Sequence, residues 1–155
     1  MLGGHCLKTW SSTQAPIALS SAEAEYYAMV EATTRATGVR TMLTELGVLC
    51  VGPTELHSDS SAARGFASRK GVGKMRHLGV RHLWLQSEVS GQRVLLRRVA
   101  GEANPADLMT KYLGVRDVLK HLERLNLRWI SRNRITVPAE GGCRDSTPFQ
   151  NFRCV

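Results

Sequence analysis

The stretch from Ser20 to Gly47 constrains the fold first, because both ends of a long helix are written into it. Ser20-Ser21-Ala22-Glu23 is a capping box, S-x-x-E, in which each side chain satisfies a backbone N–H of the other. Apolar residues then recur at Tyr26, Met29, Val30, Val39, Met42, Leu43 and Leu46, and Gly47 follows as a C-cap. Gly38 is the one position inside the run where a bend is expected. A helix of this length needs a partner layer. Short strands are expected before it in "HCLKTWSS" and "APIAL", and after it in "TELHSD", bounded by Pro53 and Asp59. "SSAARGFASRK" reads as a short helix, "GVGK" as a basic loop, and residues 76–90 as a helix with Leu78, Leu85 and Val89 on one stripe. "RVLLRRVA" is a strand, Asn104-Pro105 opens a helix through about Tyr112, and residues 115–125 form another. Strands alternating with helices predict an α/β domain. The 155 residues, 43% of them apolar, suffice for one core.

Two glutamates sit at the start of that long helix, two positions apart, so they cannot share a face. Glu23 is explained by the capping box. Glu25 shares a face with Ala28, Ala32 and Ala36, small residues that let another element approach, and a carboxylate there needs a partner. Its plainer reading is a half-exposed acid in the first helical turn. Asp59, between a strand and a helix, reads as an N-cap, and Asp107 complements a helix dipole behind an Asn104 cap and Pro105. Singly, each acid has a structural explanation. Together, three carboxylates at element ends beside one sheet would repel unless a divalent cation lay among them, and hard oxygen ligands favour Mg²⁺ or Mn²⁺.

Charge points to a phosphate-bearing partner. The formal net charge is +8, and residues 60–86 contain Arg64, Arg69, Lys70, Lys74, Arg76 and Arg81 with no acidic residue among them. A solvated face is the alternative reading of such a block. Few aromatics are interleaved, which argues against a single-strand stacking platform. Cys6, Cys50, Cys143 and Cys154 lack zinc-ligand spacing and read as reduced thiols, while Trp10 and Trp84 read as core residues. His77 and His82, five apart, are not a one-face helical pair and read as structural. No run long enough to cross a bilayer exists, and "MLGGHCLKTW" lacks the apolar region of a signal peptide. An intracellular protein, cytoplasmic or nuclear and without membrane contact, is expected.

Four segments resemble a known family. "KTWSSTQAPIALSSAEAEYYAMVEA", "SDSSAARGFA", "KMRHLGVRHLWLQSEV" and "GEANPADLMTKYL" resemble, in order and spacing, the ribonuclease H domain that ends copia-type retrotransposon Pol polyproteins. The family text is close to A-L-S-S-x-E-A-E-Y, D-N-x-S-A, K-H-I-D and N-x-A-D-x-x-T-K, and the resemblance covers roughly residues 8–114. It implies an RNase H-like mixed sheet flanked by helices. It also implies two-metal hydrolysis, with Mg²⁺ or Mn²⁺, of the RNA strand of an RNA/DNA hybrid, beside the upstream reverse transcriptase region of the same polyprotein. Carried over by position, Glu25, Asp59 and Asp107 are the catalytic, metal-binding acids. Arg64, Arg69, Lys70, Lys74, Arg76 and Arg81 would contact nucleic acid.

The chain departs from the pattern in three places. The family's first catalytic aspartate lies on a strand ahead of residue 8, so the domain is expected to be N-terminally truncated, over 1–114, and to lack the first two strands. The aspartate of K-H-I-D is Gly79, and the D-N pair reads Asp59-Ser60. Residues 115–129 are expected to be a helical extension and 130–155 a disordered tail. Impaired nuclease activity is one implied function. A non-catalytic nucleic-acid-binding remnant, or a decayed transposon reading frame, is the other.

Overall fold

The computed structural model describes residues 1–2, 4–48, 50–73, 77–128 and 153–154. Helix α1 runs unbroken over Ser21–Glu45, through Gly38. Its first turn is closed by Ser20, whose hydroxyl accepts from the Glu23 N–H at 3.2 Å. The Glu23 carboxylate reaches back to the N–H of Leu19 at 3.0 Å, one residue ahead of the cap, so the box is drawn slightly wider than expected. At the far end Gly47 has φ +78°. Its N–H donates to Thr44 C=O at 3.0 Å, and that of Val48 to Leu43 C=O at 2.9 Å. This is a Schellman closure, and the left-handed backbone it needs costs glycine least.

Strand β1 (Thr54–Ser58) pairs in parallel with β2 (Val94–Arg98), Thr54 opposite Val94 and Ser58 opposite Arg98. Between them come helix α2 (Ser61–Ala67), a 3₁₀ turn (Val80–Leu83) and α3 (Trp84–Ser90). The 3₁₀ turns Gly101–Ala103 and Pro105–Met109 and helix α4 (Val115–Arg124) follow β2. A last short strand, β3 (Arg153–Cys154), lies parallel to Glu55–Leu56, giving the order β2-β1-β3. The chain is thus a small α/β assembly around a parallel sheet. β1 is mostly buried, as a central parallel strand covered on both faces should be, while β2 at the edge is mostly exposed.

Tyr26, Met29, Leu56, Phe66, Leu78, Leu85 and Val94 make the core where α1, α2 and α3 meet β1 and β2. The Tyr26 ring meets Phe66 edge-on at 4.5 Å, and its hydroxyl donates to the His82 carbonyl at 2.5 Å. Burial pushes the Tyr26 phenol up to about 12. The small residues Ala63 and Ala67 let α2 press close beneath that ring pair.

Several sequence expectations need correction. "HCLKTWSS" and "APIAL" are not strands; among the described residues of the first 20 there is only an isolated Leu2–His5 bridge. An extended segment becomes a strand by pairing, and neither pairs with the sheet among the described residues. The helix expected from residue 76 starts later, because Gly79 is extended (φ −63°, ψ 143°) and breaks the register ahead of Val80. The helix expected to reach Tyr112 is a 3₁₀ turn ending at Met109. Trp10 and Trp84 are half-buried rather than core, and Trp10 carries the Arg35 guanidinium 4.7 Å from its ring centre. Of the tail expected to be disordered, residues 130–152 and 155 lie outside the described residues, whereas Arg153–Cys154 form β3.

Candidate acidic site

Of the two glutamates, the structural one is buried. Glu23 is 1% exposed, accepts from Tyr27 Oη at 2.7 Å and from Leu19 N, and lies within hydrogen-bond distance of His77 Nε2 at 3.0 Å. The Tyr27 hydroxyl, then His77 and the Leu19 N–H, hold its carboxyl below the usual range against the opposing effect of burial. His77 thus contacts the buried Glu23, and the His82 ring meets Tyr27 edge-on, with ring centres 4.6 Å apart. Glu25 lies on the exposed side of the same turn, and Ala28 beside it is exposed as well. The packed surroundings inferred for Glu25 from its alanine-lined face are therefore absent. The small-residue face turns inward lower down, at the half-buried Ala32 and the buried Ala36.

Other carboxylates nonetheless reach Glu25. Partial loss of hydration raises its carboxyl, and the charges of Asp59 and Asp107 push the same way, opposed by Lys111. Asp59 stands just past the end of β1. It is not the cap of α2, because Ser60 takes that role and accepts from the Ala63 N–H at 3.2 Å. Asp59 is exposed and free of capping duty. The turn at Gly101 passes beside it, where a Cβ would lie 3.6 Å from Oδ2. Asp107 is buried on the turn opened by Asn104, whose side chain accepts from the Ala106 N–H at 3.2 Å, with Pro105 at the first position. Lys111 Nζ donates to Asp107 Oδ2 at 2.9 Å. The charges of Asp59, at the end of β1, and Asp107, on the Pro105–Met109 turn, thus reach Glu25 on α1, with Lys111 acting against them.

The chain is similar to a retrotransposon polyprotein. Over 109 residues it is 28% identical to the retrovirus-related Pol polyprotein from transposon TNT 1-94 of Nicotiana tabacum. The match covers 70% of this chain and 8% of that polyprotein, so the chain corresponds to a small part of its relative's length. The similarity supports a retrotransposon Pol origin for this chain. No protein-family model matches it, and no solved structure matches it.

In kind, the acidic donors suit a divalent cation, being hard oxygens; the raised Glu25 carboxyl reflects partial burial first and the charges of Asp59 and Asp107 second. In spacing they do not form a finished cage. Among the described residues no three His, Cys, Asp or Glu side chains stand together as a ready metal site.

Of the basic residues, Lys74 and Arg76 lie outside the described residues. Arg64 is half-buried and donates to the Ser58 carbonyl, which ties α2 to the end of β1. The Arg69 guanidinium lies over Phe66, 4.4 Å from the ring centre, and is backed by Gly73, where a Cβ would come within 2.7 Å of it. Lys70 and Arg81 are exposed and face solvent. Two residues had no role in the sequence reading. Lys111 was legible as the i, i+4 partner of Asp107. Gln86 was not. Its amide donates to the Phe66 and Gly71 carbonyls at 3.0 and 3.1 Å and accepts from the Gly71 N–H at 2.9 Å, fixing the start of the basic loop. No helix among the described residues is long and apolar enough to cross a membrane.

Proposed function

We propose that this chain derives from the ribonuclease H-type region of a retrotransposon Pol polyprotein, with an RNase H-like fold. Its partner would be an RNA/DNA hybrid, and its neighbour the upstream reverse transcriptase region of the same polyprotein. The observation that carries this reading is that Glu25, Asp59 and Asp107, far apart in sequence, fall on the family's motif positions, with the charges of Asp59 and Asp107 adding to the burial that raises the Glu25 carboxyl. They would hold Mg²⁺ or Mn²⁺. A bound divalent cation there supplies activation of water and offsets charge on the scissile phosphate. The protein's own contributions are separate. Glu23 fixes the turn that presents Glu25, Ser60 leaves Asp59 free, and the Asn104–Pro105 turn sets Asp107. Lys70 and Arg81 would bind the hybrid backbone, with recognition by shape and 2′-hydroxyl contacts.

The test is cleavage of an end-labelled RNA/DNA hybrid in Mg²⁺ or Mn²⁺, comparing the full chain with Glu25→Gln, Asp59→Asn and Asp107→Asn. Metal-dependent scission that each variant abolishes supports the nuclease reading. The basic surface favours a second reading, hybrid binding without cleavage. Salt-sensitive binding that the acid variants leave intact, with no scission under any condition, would select it.

A further inference from the structure

The sheet ends on an open edge. β2 has β1 on one side and, among the described residues, no strand on the other, since the order is β2-β1-β3. The N–H of Thr54 donates to the Arg93 carbonyl at 2.9 Å, and that of Val99 to the Ser58 carbonyl at 3.2 Å. Along a strand, the N–H and C=O of one residue point to one side and those of the next residue to the other. Arg93, Leu95, Arg97 and Val99 therefore turn their backbone groups to β1, and Val94, Leu96 and Arg98 turn theirs outward. Those outward groups have no hydrogen-bond partner among the described residues. Beside this edge lies an open groove of about 490 Å³, bordered by Ser68, Val89, Gln92, Val94, Leu95 and Leu96.

Side chains alternate across the same strand. Val94, Leu96 and Arg98 fall on the face that carries the core, and Leu95 and Arg97 on the other. Arg97 is engaged by Glu55 at 3.3 Å and Arg93 by Glu88 at 2.8 Å. Arg98, at the end of the strand, is exposed and has no acidic partner among the described residues.

We propose that the outer edge of β2 is a docking site for an extended segment of another polypeptide, rich in alternating apolar and acidic residues, which adds to the sheet as a further strand. Backbone pairing with Val94, Leu96 and Arg98 holds the segment, Val89 and Leu96 receive an apolar side chain, and Arg98 receives a carboxylate. Charge decides between occupants. Cations on an edge strand keep like edges from joining. A second copy would bring its own Arg93, Arg97 and Arg98 against these, in a chain of net charge +8. An acidic strand turns the same cations into an attraction. None of this depends on Glu25, Asp59 or Asp107.

The test is fluorescence anisotropy of the full chain with a short labelled peptide alternating valine and glutamate, against one alternating valine and lysine. The glutamate peptide should bind and the lysine peptide should not. Arg98→Glu should weaken the first by roughly tenfold, because an exposed opposite-charge pair becomes a like-charge contact, and should admit the second. N-methylation of alternate peptide amides separates strand pairing from non-specific adhesion. Methylating one row should abolish binding and methylating the other should spare it, because only one row of amides meets the edge. Equal binding of both peptides, indifference to methylation of either row, or no binding at all overturns the proposal. A dimer in light scattering that neither binds nor yields to the glutamate peptide assigns the edge to a second copy and overturns it too. The methylation comparison uses wild type alone, so it decides the matter even if Arg98→Glu does not fold.

Discussion

Replacing Glu23 by alanine should be the most damaging change in the first turn of α1, although the residue lies outside the proposed chemistry. The variant strands a buried Tyr27 hydroxyl that now sits 2.7 Å from a carboxylate, a hydrogen bond to a charged group worth about 1.5–3 kcal/mol. It also removes the acceptor for the Leu19 N–H, half of a capping arrangement worth about 1 kcal/mol. The contact to His77, whose side chain is 44% exposed, adds under about 1 kcal/mol. Relief from burying a charge offsets part of the sum, leaving a loss of about 3 kcal/mol. For a chain of 155 residues that lowers Tm by roughly 6–12 °C. The effect has a definite sign with pH. The Glu23 carboxyl is held low in the folded state, so its contribution is present above the unfolded glutamate value of about 4.3 and fades as pH falls through the lower folded value. Melting curves of wild type and Glu23→Ala followed by circular dichroism from pH 7 downward should converge toward acid. Glu25→Gln, on the exposed side of the same turn, should melt within about 0.5 kcal/mol of wild type. A Glu23→Ala protein that melts within about 2 °C of wild type at pH 7, or a gap that does not narrow in acid, refutes the assignment.

The junction after β1 separates capping from chemistry in the same way. Ser60→Ala should cost about 1 kcal/mol in urea unfolding because it removes the acceptor for the Ala63 N–H. Asp59→Asn should cost under about 0.5 kcal/mol, and the reverse ranking would return the cap to Asp59. Gln86→Ala frees the start of the basic loop by removing three hydrogen bonds to Phe66 and Gly71. Limited trypsin digestion should then cut after Arg69 or Lys70 several-fold faster, with unchanged digestion counting against the clamp.

What was legible in the sequence was whatever rests on neighbours along the chain. The start of α1, its Gly47 closure, β1, α2, β2, the Asn104–Pro105 turn and α4 all depend on caps, breakers or short runs that a few residues settle, and all are where the sequence places them. The failures share one cause. "HCLKTWSS" and "APIAL" have strand composition, but strand formation is decided by a partner elsewhere, and composition does not supply one. Gly79 has the same lesson in reverse: one extended residue moved a helix start that periodicity alone put earlier. The anchoring by Gln86 is a contact between distant segments, invisible to any local pattern.

The acids were only half legible for a physical reason. Sequence spacing correctly separates Glu23 from Glu25, since residues two apart on a helix cannot share a face. It misassigns their surroundings, because the partner expected for Glu25 was a packed wall. What acts on Glu25 is partial burial first, and then charges: Asp59 and Asp107 against it, Lys111 for it. A glutamate whose carboxyl is raised by partial burial and by other acids differs from a solubilising one in what it can bind. A solubilising glutamate is content with water. This one is stabilised by whatever cation approaches the group, and in the present arrangement that cation is the chain's own Lys111.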